Sequence, residues 1–97
     1  MQFMLKALDG KGMLEKRMEV RPRHLEGMKQ LGKHVICGGG LLDQEGKMKG
    51  SVLIVEFKER RELDEYLASE PYIKERVWET VEIEEMNVVL VGGEKYQ

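Results

Sequence analysis

The chain has 97 residues, 16 basic and 18 acidic side chains, a net charge of −2 and one cysteine. That length fits a single domain, 1–97, with a modest core, and one cysteine excludes a disulfide framework. The charge balance argues against a nucleic-acid partner held by phosphate contacts, and no run approaches the roughly 18 apolar residues of a membrane span.

The elements follow in chain order. Residues 2–8 alternate as a strand, with Phe3, Leu5 and Ala7 on one side and Met4 and Leu8 on the other. D-G-K-G at 9–12 is a turn. Residues 13–20 are charged and read as a loop leading into a first helix over about 22–33, with Pro22 at its start. Leu25, Met28 and Leu31 form the apolar stripe of that helix, and His24 falls within it. Gly27 is costly inside a helix, and close approach of another backbone would explain it.

Residues 34–42 read as a second strand with a glycine-rich middle, in which Cys37 is expected to be buried and reduced. D-Q-E-G-K-M-K at 43–49 is a hairpin loop, with Gly46 free to take positive φ. Residues 50–57 form a third strand whose centre, Val52 to Val55, is apolar on both faces. A second helix covers about 60–69, with Leu63, Tyr66 and Leu67 facing inward, and Pro71 stops it. Residues 71–78 begin with a short extra helical turn. T-V-E-I-E-E-M at 80–86 is a fourth strand, 87–91 a short fifth, and the tail is expected to be loose.

The order β-α-β-β-α-β is the ferredoxin-like, α+β pattern. Two helices cover one face of its antiparallel sheet. The apolar residues left on the other face lead to an expected homodimer, with the two open sheet faces packed together.

Three segments together resemble a known family: R-P-R-H-L at 21–25, G-S-V-L-I-V-E-F at 50–57 and S-E-P-Y-I-K-E-R-V-W-E-T-V-E-I at 69–83. In order and spacing they are similar to the YciI-like (YCII-related) proteins, from the first strand to about residue 84. The resemblance implies a ferredoxin-like fold assembled as a dimeric α+β barrel. It also implies an active site made from a first-helix histidine and the acid of a D-P-Y motif, here His24 and Glu70. This chain departs from the pattern in having Glu where Asp is usual. One relative is a dehydrochlorinase of a chlorinated hydroxyhydroquinone, and muconolactone isomerases share the barrel.

The residues allow the same chemistry. An imidazole oriented by a carboxylate is a usable general acid or base at neutral pH. Tyr72 offers a hydroxyl and Arg21 a guanidinium for an anionic group, while Ser51 lines the same region without the base that a nucleophile needs. Each has a plain alternative: a packed core histidine, a helix cap, a packing tyrosine, a solvated arginine. No metal is expected, since His34 and Cys37 fall on opposite faces of a strand. G-G-G at 38–40 lacks the Gly-Lys-Ser/Thr of a phosphate loop.

Two function classes therefore stand. The first is a cofactor-independent acid/base enzyme, of the lyase, isomerase or hydrolase type, acting on a small organic molecule. The second is a non-catalytic small-molecule-binding or interaction module. The strand order also matches an RNA-recognition motif. Its aromatic stacking positions would here be Ser51, Leu53 and Glu56, so RNA binding is disfavoured. The absence of a charged leader and a cleavage site points to a soluble cytoplasmic protein.

Overall fold

A computed structural model describes residues 1–96. Strand β1 (Gln2–Asp9) leads to helix α1 (Leu14–Leu31), then a 3-10 turn (Gly32–His34) and the hairpin β2 (Val35–Leu42) and β3 (Met48–Glu56). Helices α2 (Arg60–Ser69) and α3 (Pro71–Lys74) precede β4 (Trp78–Met86), β5 (Leu90–Val91) and β6 (Glu94–Lys95). The main sheet has the order β2-β3-β1-β4 and is antiparallel throughout. The ferredoxin-like β-α-β-β-α-β arrangement expected from the sequence is borne out.

The register explains the core. Leu5 lies opposite Leu53 on one neighbour and Ile83 on the other, and Phe3 lies opposite Val55. Phe3, Leu5 and Ala7 of β1 and Leu53 and Val55 of β3 point at the helices and are buried. Leu63 and Tyr66 of α2 and Val20 of α1 close over them. Met4, Val52 and Ile54 alternate onto the other face and are half-buried, while Leu8 there is exposed.

Four local expectations are corrected. Residues 14–21 are helix, not loop, and Pro22 lies inside α1 rather than at its start. Proline in a helix interior removes one backbone hydrogen bond and is normally disfavoured. Here tertiary contacts compensate: Arg17, Val20 and His24 are the buried residues of the helix, and Arg17 is paired beneath it. Leu25 belongs to the exposed side of the stripe instead of the core. Cys37 is exposed, because β2 is an edge strand with an irregular register between Val35 and Cys37. Among the described residues no backbone approaches Gly27: the space beside its Cα is open.

The tail is more ordered than its composition suggests. β5 and β6 pair as a small hairpin, the Val88 amide donates to Gln2 Oε1, and the Tyr96 hydroxyl donates to Glu56. Gln97 lies outside the described residues. Elsewhere the sequence reading of turns holds. Gly46 has φ 81°, and the Asp43 carboxylate accepts from the Glu45 and Lys47 amides across the β2–β3 loop. Gly32 ends α1 at φ 56°. Among the described residues no helix is long and apolar enough to cross a membrane.

Candidate active site

Helix α1 supplies one wall of the site. Arg17, Arg21 and His24 follow at i, i+4 and i+7, so they share a face. The opposite side comes from the corner between α2 and α3. Pro71 disfavours helical backbone at the residue before it, and Glu70 is extended at φ −66° and ψ 119°. Glu70 thus ends α2 and caps α3, its Oε1 accepting the Tyr72 amide at 3.1 Å.

The same Oε1 lies 2.7 Å from His24 Nδ1. The other oxygen, Oε2, accepts from the Tyr66 hydroxyl, one turn back on α2. Glu70 is 1% exposed. An ionised carboxylate only accepts, and a neutral His24 beside one presents Nδ1–H and keeps its lone pair on Nε2. The longer Glu side chain, in place of the Asp usual in the resemblance, still reaches the imidazole. Burial, then the Glu70 charge, holds the Tyr66 hydroxyl well above the ordinary tyrosine range, so it remains a donor.

Aromatic rings fix the imidazole from other sides. Tyr72 stacks on it, with centroids 4.3 Å apart and planes 20° from parallel. Trp78 meets it edge-on at 6.0 Å. The Arg17 guanidinium lies 4.7 Å from the Tyr72 ring centroid. Its Nη1 donates to both Asp9 oxygens, at 2.9 and 3.1 Å, and its Nη2 donates to Ser51 Oγ at 2.7 Å. Burial raises the Asp9 carboxyl above its ordinary range, opposed by the charge and hydrogen bonds of Arg17. Burial also raises the Tyr72 hydroxyl, against the pull of Arg17 and Arg21, so it is protonated at neutral pH.

Several of these side chains line a cavity of about 280 Å³ between α1 and the β2–β3 hairpin. His24, Arg21, Ser51 and Tyr72 all face it, together with Arg17. Gly38, Gly39 and Gly40 form its far wall, where the lack of side chains leaves room. Arg21 has no carboxylate partner among the described residues, whereas the Ser51 hydroxyl is already engaged by Arg17. Glu70 is not in this wall. It sits behind His24, against a second groove shared with Tyr66 and Gly27.

Sequence reasoning named five of these residues and missed Arg17, Asp9, Tyr66 and Trp78 as parts of the site. Arg17 was legible in principle, since it lies two helical turns before His24. Tyr66, four residues before Glu70 on the same helix, carried a similar signal. Among the described residues no group of three His, Cys, Asp or Glu side chains is placed to hold a metal.

The sequence model of the YCII-related domain matches residues 1–87. The chain belongs to the YCII-related family. Over 80 residues it is 32% identical to aspercryptin biosynthesis cluster protein B of Emericella nidulans. That match covers 73% of this chain and 51% of the other, so the YCII-related chain spans about half the length of that curated relative. Among solved structures it is similar to 5-chloro-2-hydroxyhydroquinone dehydrochlorinase (TftG) from Burkholderia phenoliruptrix AC1100, in complex with 2,5-dihydroxybenzoquinone. The TM-score is 0.83 at 24% identity, over 90% of this chain and 94% of that one. An antibiotic biosynthesis monooxygenase is similar at a TM-score of 0.60 and 15% identity, over 92% and 98% of the two chains. At these identities the two structures establish a common fold.

Proposed function

We propose that this YCII-related chain is a cofactor-independent acid/base enzyme, of the lyase, isomerase or hydrolase type, acting on a small organic molecule. The observation that carries this reading is the buried His24–Glu70 pair, 2.7 Å apart, beside a cavity of single-ring size. With Nδ1–H held by Glu70, Nε2 is the atom that takes a proton from a ligand and returns it. Glu70 is the orienter, pinned by Tyr66 so that its carboxylate does not turn away. Arg21 and Tyr72 are ligand contacts, and Ser51 supports the wall. The dehydrochlorinase neighbour acts on a small ring compound, which is the scale of molecule this cavity admits.

Imidazole ¹⁵N spectra of the protein test the pair. Neutral His24 should carry its proton on Nδ1, unlike the tautomer that dominates in free histidine, and Glu70→Ala, which leaves no acceptor, should abolish that preference. His34, whose Nδ1 faces the Glu56 carbonyl, serves as an internal control. An Nε2–H tautomer in the wild type would remove the proposed base. A non-catalytic binding module is the outcome if small ring compounds are retained without turnover and His24→Asn leaves that retention intact.

The open sheet face supports a homodimer. Met4, Val52 and Ile54 lie half-buried there with exposed Leu8, an apolar surface that a second copy would cover. Sedimentation equilibrium should give twice the chain mass at micromolar concentration, and a monomer would exclude this assembly. The lone cysteine suits a reducing compartment such as the cytoplasm.

A further inference from the structure

Strands β5 and β6 make an arm that stands apart from the main sheet. They pair through Leu90–Lys95 and Val91–Glu94, joined by Gly92 and Gly93 at φ 60° and 79°. Two residues at positive φ give the tight turn whose twist matches that of paired strands. The segment that matches the YCII-related domain ends at residue 87, so this hairpin lies beyond it. Its base is tied to the sheet. The Val88 amide donates to Gln2 Oε1 at 2.6 Å, Gln2 Nε2 donates to Glu56 at 3.0 Å, and the Tyr96 hydroxyl donates to Glu56 as well. Gln2 and Glu56 are register partners that alternate with buried Phe3 and Val55, so both belong to the open face. The arm therefore rises from one end of that face. Along it, Val89 and Leu90, at 61% and 65%, are the most exposed large apolar side chains among the described residues. A two-stranded hairpin is marginal by itself in water, so an arm with this apolar flank calls for a cover.

The opposite end of the open face carries a second apolar patch. Leu8, Gly50 and Leu41 lie side by side across β1, β3 and β2, with Leu8 40% exposed and Leu41 half-buried. Gln2 and Leu8 stand near the two ends of β1, roughly 20 Å apart at the rise of an extended strand. Arm and patch both remain exposed, so neither covers the other within one chain. The middle of the face is a poor interface without them. Met4, Val52 and Ile54 are already half-buried, and exposed Lys6, Glu82 and Glu84 share their side of the sheet. A stable dimer hides about 800 Å² on each partner, and the arm and the Leu8 patch are where the open face has apolar area left to hide.

We infer that the 88–96 hairpin is a clasp for a second copy of this chain: Val89 and Leu90 of one copy seat on the Leu8–Leu41 end of the other copy's open face, and the reverse. The inference rests on the homodimer proposed above and adds two things to it, the direction of its axis and the residues that set its affinity. A two-fold axis perpendicular to the strands lays the arm end of one face over the far end of the other. Each arm-to-patch contact then occurs twice, as a self-complementary interface requires. An axis along the strands would instead bring the two arms against each other and leave both Leu8 patches bare.

Thiol cross-linking of the full chain tests this, on a Cys37→Ser background because the native thiol is exposed. With a short bismaleimide, Leu8→Cys/Leu90→Cys should give a covalent dimer on denaturing gels. Leu8→Cys alone and Leu90→Cys alone should stay monomeric there, since like positions lie at opposite ends of the stacked faces. Leu90→Lys should weaken dimerisation by about tenfold or more in sedimentation, because the dimer buries that side chain twice. Its circular dichroism should match the wild type, as the position is exposed in the single chain. Cross-linking of Leu90→Cys alone, no cross-linking of the double variant, or a Leu90→Lys dimer constant within about twofold of the wild type each overturns the inference. Any of these beside a wild-type dimer leaves the open-face assembly standing, whereas a wild-type monomer ends both, so the two failures are told apart.

Discussion

Arg17→Met is expected to destabilise the protein by about 3–5 kcal/mol, the range for removing one partner of a buried ion pair. Arg17 and Asp9 have side chains that are 3% and 5% exposed. Methionine fills much of the volume but leaves Asp9 under α1 without a cation, and Ser51 loses its donor. Chemical denaturation at pH 7 gives the number, and the thermal midpoint should fall by about 10 °C or more. The double variant Asp9→Asn/Arg17→Met removes both charges and should recover much of the loss. The penalty has a definite pH dependence. Burial raises Asp9 above its ordinary value of 3.8, and without Arg17 nothing of comparable strength opposes it. A carboxyl whose folded pKa exceeds its unfolded one contributes more to stability as pH falls through the folded value. The gap between Arg17→Met and the wild type should therefore narrow on acidification towards pH 4. A loss under about 1 kcal/mol at pH 7 would mean that the pair is solvated.

Glu70→Ala should cost about 3 kcal/mol or more and remove any turnover. Three donors converge on this carboxylate: His24 Nδ1, the Tyr66 hydroxyl and the Tyr72 amide. Each hydrogen bond contributes about 1 kcal/mol net, and each donor left buried without a partner adds a penalty. Glu70→Asp separates the roles of the side chain. Aspartate is the better N-cap, so helix α3 should keep its start and the loss of stability should be smaller than in Glu70→Ala. The shorter side chain draws away from His24, so the Nδ1–H tautomer should be lost. Stability of Glu70→Ala equal to the wild type would refute the convergence of donors. Retention of the tautomer in Glu70→Asp would show that the backbone adjusts to the shorter acid.

The sequence determined which faces each strand would bury. Alternation at Phe3, Leu5 and Ala7, and at Leu53 and Val55, settles a period-two pattern that no tertiary contact has to supply. Pro71 and the 60–69 amphipathic run likewise determined where α2 ends, since the residue before proline leaves the helical region by local sterics. His24 and Glu70 were both legible as candidates, from an imidazole in an apolar stripe and from the resemblance. Their meeting was expected from the resemblance alone, because the chain between them must fold through two strands and a helix before the 2.7 Å contact exists.

The burial of the first half of α1 was decided only in three dimensions. Residues 14–21 look like a charged loop ending at a proline, although Leu14, Glu15, Lys16, Arg17 and Met18 are all strong helix formers. What the tertiary structure adds is the buried contact of Arg17 with Asp9 and Ser51, residues of β1 and β3. Those strands become neighbours only when the sheet forms. A charged side chain reads as solvent-exposed in a linear sequence because its burial depends on a partner that local periodicity does not encode. The buried donors Arg17 Nε and Tyr72 hydroxyl, which lack a partner among the described residues, follow from the same cause: only the assembled fold shows which polar atoms have been denied both water and protein.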